Sequence, residues 1–199
     1  MMMQSEATST RAKRKAPAKP RYNGKKLSLE KFMDFKAEDG FKYEWNNGFL
    51  EAREKMIKPS EFYLVERLQD AFAETSMGKA KTARLILEAT CPISEGKYRV
   101  PDMAVFTKAQ IEQAREGELP VPIFIIELVS KSDSLDYYDE KLEEYFSVGV
   151  QTVWLISPAQ KKVRVFTSPK EVKICTQDDV CSAAPALPDF AITPNQLFE

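Results

Sequence analysis

Three carboxylates stand where burial rules disfavour them. Glu127 closes the apolar run Ile123-Phe124-Ile125-Ile126, Asp102 lies between Pro101 and Met103-Ala104-Val105-Phe106, and Glu44 lies between Tyr43 and Trp45. A carboxylate at the end of a buried strand is costly unless it is paired or binds a cation. Several together form a hard-oxygen set of the kind that Mg²⁺ or Mn²⁺ prefers. Such an ion activates a water and neutralises charge on a phosphodiester. Each acid also has an ordinary reading. Glu127 suits a strand leaving for solvent, Asp102 a turn cap beside Pro101, and Glu44 an outward hairpin position.

The composition narrows the chemistry further. The chain of 199 residues has no histidine, which removes Ser-His-Asp triads, Cys-His pairs and His-ligated zinc. Its three cysteines, Cys91, Cys175 and Cys181, are too few for a four-Cys zinc site and read as core thiols of a reducing compartment. An apolar fraction of 43%, with 12 Phe, 7 Tyr and 2 Trp, supplies a sizeable core for one domain. No apolar run reaches membrane-spanning length, and the start MMMQSEATSTRAKRK lacks the apolar region of a signal peptide. The cytoplasm is the expected location, with no membrane partner.

The net charge of −1 is unevenly placed. Residues 1–26 carry eight basic groups against Glu6 alone, leaving +7 there and −8 in the remainder. With Pro17, Pro20 and no apolar periodicity, this stretch reads as a disordered basic tail ahead of a domain over 27–199. A cationic arm attracts polyanions, nucleic acid above all; a merely solubilising extension has the same composition.

The elements that must position the acids follow from spacing. Ser28 caps a short helix over 28–36, and FKYEWNNGFLEA (41–52) reads as a hairpin turning at Asn46-Asn47-Gly48. Pro59-Ser60 opens a helix with Leu64, Val65, Leu68, Ala71 and Phe72 on one face and Gly78 placed to end it. Strands are expected over 82–89 and 97–106, with a polar, helical segment before Pro120. VPIFIIELVS (121–130) is the strongest strand and belongs mid-sheet. Residues 134–150 form an amphipathic helix with Leu135, Tyr138, Leu142, Tyr145 and Phe146 inward. Strands 152–157 and 162–166 follow, so the strand–helix–strand order implies a partly parallel sheet. The last thirty residues, with Pro185, Pro188 and Pro194, are expected to wrap over the surface.

From Leu27 to Phe198 the chain resembles the Uma-two family of restriction endonuclease domains, within the PD-(D/E)XK nuclease superfamily. LSLEKFMDF with FKYEWNNGFLEA, RVPDMAVF, IIELVSKSDSLDYYDEKLEEYFSVGVQTVWLISP and LPDFAI with QLF carry the resemblance. It implies an α/β restriction-endonuclease-like fold, a central mixed sheet flanked by helices. Asp102 matches the Pro-Asp aspartate, Glu127 the second acid and Glu44 the N-terminal glutamate. All three are implied to hold Mg²⁺ (or Mn²⁺), with the carbonyl of Leu128 as a further ligand. The superfamily lysine normally lies two positions after the second acid, where this chain has Val129. In this family it is shifted to the following helix, at Lys141, which borders the inner stripe three residues after Tyr138 and four before Tyr145. Its role would be to orient the attacking water or to stabilise transition-state charge; a lysine snorkelling beside apolar neighbours has the same spacing. Lys131 is a second candidate, and Ser130 and Ser132 read as turn or cap residues.

The expected activity is a metal-dependent DNA endonuclease. The alternative is a catalytically silent module of the same fold that binds nucleic acid or a protein partner; an assembly subunit using an exposed edge strand is a third reading. A homodimer suits cutting both strands. Because like charges repel without metal, removing Asp102 or Glu127 is expected to leave the fold intact or slightly stabilised.

Overall fold

The structure is a computed structural model that describes residues 19–53, 57–130 and 134–199. Its centre is a six-stranded sheet in the order β10 (Glu171–Cys175), β9 (Lys162–Ser168), β8 (Thr152–Ser157), β7 (Phe124–Leu128), β6 (Met103–Thr107), β3 (Ala83–Leu87). Only β7 and β8 pair in parallel, with α5 (Leu135–Ser147) forming the crossover between them; the other pairs are antiparallel. The sheet is mixed, as the strand–helix–strand order required.

Alternation along the strands assigns the two faces. Met103, Val105, Phe124 and Ile126 face a core that holds Leu64, Leu68 and Phe72 of α2 (Phe62–Ala73). Ala104, Phe106 and Ile125 face the opposite way, onto Tyr138, Leu142 and Tyr145 of α5. Asp102 and Glu127 share the parity of this second face, so the α5 side is where they must find partners.

A four-stranded antiparallel sheet, in the order β2 (Phe49–Arg53), β1 (Lys42–Asn46), β5 (Lys97–Arg99), β4 (Cys91–Ser94), flanks the first. The hairpin turns at Asn47 and Gly48, at φ 48° and 88°, positive angles that Asn and Gly tolerate. Tyr43 and Trp45 point into a small aromatic core, which leaves Lys42 and Glu44 on the other face of β1.

Five expectations are corrected. The stretch 97–106 is two strands in two sheets, and Val100-Pro101-Asp102 is the crossing between them. Pro101 has no N–H to continue a ladder, so the chain changes sheets there. Gly78 does not end α2, which stops at Ala73. Thr75 caps a second short helix, α3 (Ser76–Lys79), by accepting from the Gly78 N–H at 3.0 Å. A Cβ on Gly78 would lie 2.2 Å from the Phe72 carbonyl oxygen, so the glycine serves close approach. Gly78→Ala is therefore expected to cost about 1–3 kcal/mol by overpacking; an unchanged melting temperature would show that the α2–α3 junction yields freely.

Leu135 is 79% exposed instead of inward, because it opens α5 beyond the edge of the covered surface; Phe146 is only partly buried. The C-terminal residues are no surface wrap. β11 (Cys181–Ala183), β12 (Leu187–Ile192) and α6 (Pro194–Phe198) close the α2-side core. Phe190 stacks on Trp154 at 5.2 Å and meets Phe124 edge-on at 5.8 Å.

Residues 21–26, read as tail from sequence, pack onto the hairpin. Tyr22 meets Phe35 and Tyr43 edge-on at 5.2 and 5.8 Å, and Lys26 bridges Phe49. Residues 1–18 of that stretch, with Lys131 and Ser132, lie outside the described residues. No helix among the described residues is long and apolar enough to cross a membrane.

Candidate active site

The crossing at Pro101 delivers Asp102 to the start of β6, beside the end of β7. One step beyond the paired residues Met103 and Ile126, Asp102 and Glu127 come opposite one another. Asp102 Oδ2 accepts the Leu128 N–H at 2.7 Å, which locks this juxtaposition. Asp102 Oδ1 takes the Lys42 ammonium at 2.5 Å. Glu127 Oε1 accepts from Lys141 Nζ at 2.8 Å and from the Tyr145 hydroxyl at 2.6 Å, both from α5. Ser134 begins that helix by accepting from the Tyr137 N–H. Three α5 side chains on successive turns, Tyr138, Lys141 and Tyr145, are thereby set against the sheet.

These groups floor a cleft of about 340 Å³, lined by Lys42, Arg53, Asp102, Glu127, Leu128 and Lys141 among others. Glu127 is 3% exposed and Lys141 2%, so their contact is a buried one.

Glu44 lies behind the cleft and is not among its lining residues. Its Oε2 accepts from Arg53 Nε at 2.5 Å and from an Arg99 guanidinium N–H at 2.8 Å, while Oε1 lies 3.2 Å from Lys141 Nζ. Arg99 also engages Glu140 and Glu144 of α5, at 3.0 and 2.7 Å. The Tyr137 ring lies under three cations, with Arg53, Lys141 and Arg99 at 4.9, 5.1 and 5.8 Å from its centroid. Glu44 is thus the common counter-charge of a buried cationic group, and Lys141 bridges it to Glu127.

The electrostatics follow from this wiring. Burial alone would raise the Glu44 carboxyl, but Lys141, Arg53 and Arg99 hold it well below the usual carboxylate range. Glu127 moves the other way: burial and the neighbouring Asp102 charge raise it against the opposing pull of Lys141. Burial would lower Lys141, yet Glu127 and Glu44 together keep it well above the ordinary lysine value, so it stays an ammonium. Lys42 is likewise raised, with Asp102 and Glu127 overcoming its burial.

Of the sequence-derived set, Asp102, Glu127, Leu128 and Lys141 meet at the cleft, and Glu44 reaches it through Lys141 and Arg53. Sequence reasoning passed over Lys42, Arg53, Arg99, Tyr137 and Tyr145. Lys42 stands two residues before Glu44 and shares its strand face, which marks the face but not the partner. Arg99 and Arg53 gave no signal, because their partners are 55 and 9 residues away. The expected stability of Asp102 variants is also corrected: Asp102 has a buried ammonium partner, so its removal strands Lys42.

The donor chemistry fits a small hard cation. Two carboxylates and a backbone carbonyl are the oxygen set with which Mg²⁺ retains waters and binds phosphate. Among the described residues no group of three or more Asp, Glu, Cys or His is arranged to hold a metal by itself. The fit is therefore to a cation shared with waters and substrate, and not to an all-protein cage.

Comparison with known proteins bears on the family and the fold. A family model, Uma2, described as putative restriction endonuclease, matches residues 29–195. The crystal structure of a putative nuclease belonging to DUF820 from Anabaena variabilis ATCC 29413 superposes at TM-score 0.70 and 19% identity, covering 86% of this chain and 97% of that chain. That likeness establishes the restriction-endonuclease-like fold. A DrdV–DNA complex solved by cryo-electron microscopy aligns over 59% of this chain and 12% of that chain, at TM-score 0.35 and 16% identity, too slight a likeness to build on. No curated protein matches the sequence.

Proposed function

Because the chain belongs to the Uma2 family of putative restriction endonucleases, we propose that it is a divalent-metal-dependent endonuclease hydrolysing DNA phosphodiester bonds. The observation that carries this reading is the buried Asp102–Glu127 pair, with the Lys141 ammonium 2.8 Å from Glu127, at the floor of an open cleft with cationic walls. Asp102, Glu127 and the Leu128 carbonyl would hold Mg²⁺ or Mn²⁺. The bound ion supplies charge neutralisation at the phosphodiester and a more acidic water.

The chain's own residues do the remainder. Lys141 remains protonated and donates to water or to a phosphoryl oxygen at the position where negative charge grows. Tyr145 fixes the Glu127 carboxylate from behind. Glu44 is assigned to positioning: it holds Lys141, Arg53 and Arg99 in place and is displaced from the ligand role. Arg53, Lys42 and Lys58 on the cleft wall attract the phosphate backbone. The acidic body repels DNA at long range, and the basic residues ahead of the domain offset that repulsion. The domain over 27–199, extended by its packed residues from Arg21, carries the activity; a homodimer would place two such clefts on opposite strands.

The test is nicking of supercoiled plasmid by the full chain with Mg²⁺ or Mn²⁺, beside EDTA and Lys141→Met. Nicking is expected to need the ion and to fall by about 10²–10³-fold in the variant. Nicking that survives EDTA, or full activity in Lys141→Met, would overturn the mechanism. Absence of both cleavage and calorimetric metal binding would favour the silent nucleic-acid-binding module.

A further inference from the structure

Taken with the reading above, Asp102 is asked to hold a divalent ion while both its oxygens are engaged. Oδ2 accepts the Leu128 N–H at 2.7 Å, and a backbone donor leaves that oxygen a further lone pair. Oδ1 carries the Lys42 ammonium at 2.5 Å, in a pair whose side chains are 9% and 12% exposed. An ammonium and a divalent ion on one buried carboxylate repel strongly, so Lys42 must move when the ion arrives. Moving it into a buried space with no acceptor would strand its charge.

Glu88 meets this need. It lies one step beyond the paired residues Leu87 and Met103, opposite Asp102, and its N–H donates to the Asp102 carbonyl at 3.0 Å. Its backbone has φ 50°, a left-handed conformation uncommon for glutamate. Its Oε1 is buried and has no hydrogen-bond partner among the described residues. Buried carboxylate oxygens seldom go unpaired, and such exceptions call for an explanation. The Lys42 and Asp102 charges both act on this carboxyl, which burial raises above its ordinary value. The other nearby acid, Glu127, already serves Lys141 and Tyr145.

We propose that Glu88 is a positioning residue that receives the Lys42 ammonium from Asp102 when a divalent cation binds. Lys42 acts as the resident counter-ion of the metal-free site, and Glu88 is its second berth. The site then exchanges one cation for another, and the ion's affinity is set by how well Glu88 accommodates the displaced lysine.

Mn²⁺ affinity of the full chain, measured by calorimetry, tests this without reference to turnover. Glu88→Gln is expected to weaken Mn²⁺ binding about tenfold, and Glu88→Asp to retain most of it. Lys42→Met is expected to tighten binding about tenfold, and adding Glu88→Gln to it should change nothing more. An equal loss from Glu88→Gln in both backgrounds would make Glu88 a direct ligand and overturn the proposal, as would no effect in the wild-type background. Should Lys42→Met fail to fold, ¹⁵N-lysine spectra of the wild-type protein serve instead. The Lys42 ammonium signal should shift saturably on adding Mg²⁺ and lose that response in Glu88→Gln; a static signal overturns the exchange. Mn²⁺ affinity unaltered by Asp102→Asn would instead remove the metal-site reading on which the proposal stands.

Discussion

Asp102→Asn is expected to abolish metal-dependent nicking, by at least about 10³-fold, while the domain stays folded. The amide oxygen still accepts the Leu128 N–H, so the β6–β7 juxtaposition survives. What disappears is the charge that holds a cation. Both variants take the counter-charge from the buried Lys42, and Asp102→Ala also loses the acceptor of the Leu128 N–H, so it is expected to lose the same activity and about 3–5 kcal/mol of stability, more than Asp102→Asn. Comparing the two variants separates chemistry from folding. Residual nicking in Asp102→Asn at wild-type metal concentrations would remove Asp102 from the site. Equal melting temperatures for the wild type and Asp102→Ala would show that the Lys42 pair contributes nothing to stability.

The second large effect is structural. Glu44→Gln is expected to lower stability by about 3 kcal/mol, since it removes the shared counter-charge of Arg53, Arg99 and Lys141. Each cation keeps another acid, in Glu51, Glu144 and Glu127 respectively, which limits the loss. For a domain of this size that is a fall of about 6–12 °C in melting temperature. The pH dependence has a definite sign. The folded Glu44 carboxyl is held below its unfolded value, so its stabilisation is complete above about pH 5 and fades as pH falls. The gap between wild type and Glu44→Gln should therefore close on acidification; a gap that widens towards low pH would reverse the assignment. As a positioning residue, Glu44 should leave Mn²⁺ affinity nearly unchanged when substituted, whereas a tenfold loss would restore it to the ligand set.

Much of the sheet was legible because its strands are short and strongly patterned. The run Phe124 to Ile126 announced a covered mid-sheet strand, and Glu127 at its end was conspicuous for that reason. The family resemblance singled out Lys141, and the α5 stripe was compatible with its place beside the inner face. What sequence could not express was partnership across distance. Lys42 looks like any hairpin lysine until Asp102 arrives 60 residues later. The resemblance implied a ligand role for Glu44, and nothing in its own strand foretold that two arginines and a lysine from three other elements would surround it. The C-terminal segment misled through its prolines. Proline marks where a chain turns, while burial there is decided by Leu187, Phe190 and Leu197 meeting Trp154 and Phe124 in space.

The three buried thiols give the molecule built-in reporters of its own breathing. Burial, with Glu127 nearby, pushes Cys91 up to about 12, and burial beside Cys175 raises Cys181 as well. All three are reduced and enclosed, so alkylating reagents gain access only when the surrounding layer opens. Cys91 belongs to the α5 side of the sheet, next to the cleft, whereas Cys175 and Cys181 belong to the side closed by the C-terminal strands. Rates of thiol capture therefore distinguish which half of the sandwich loosens first, and an ion seated at Asp102 and Glu127 would retard the first thiol while leaving the other two at their former pace.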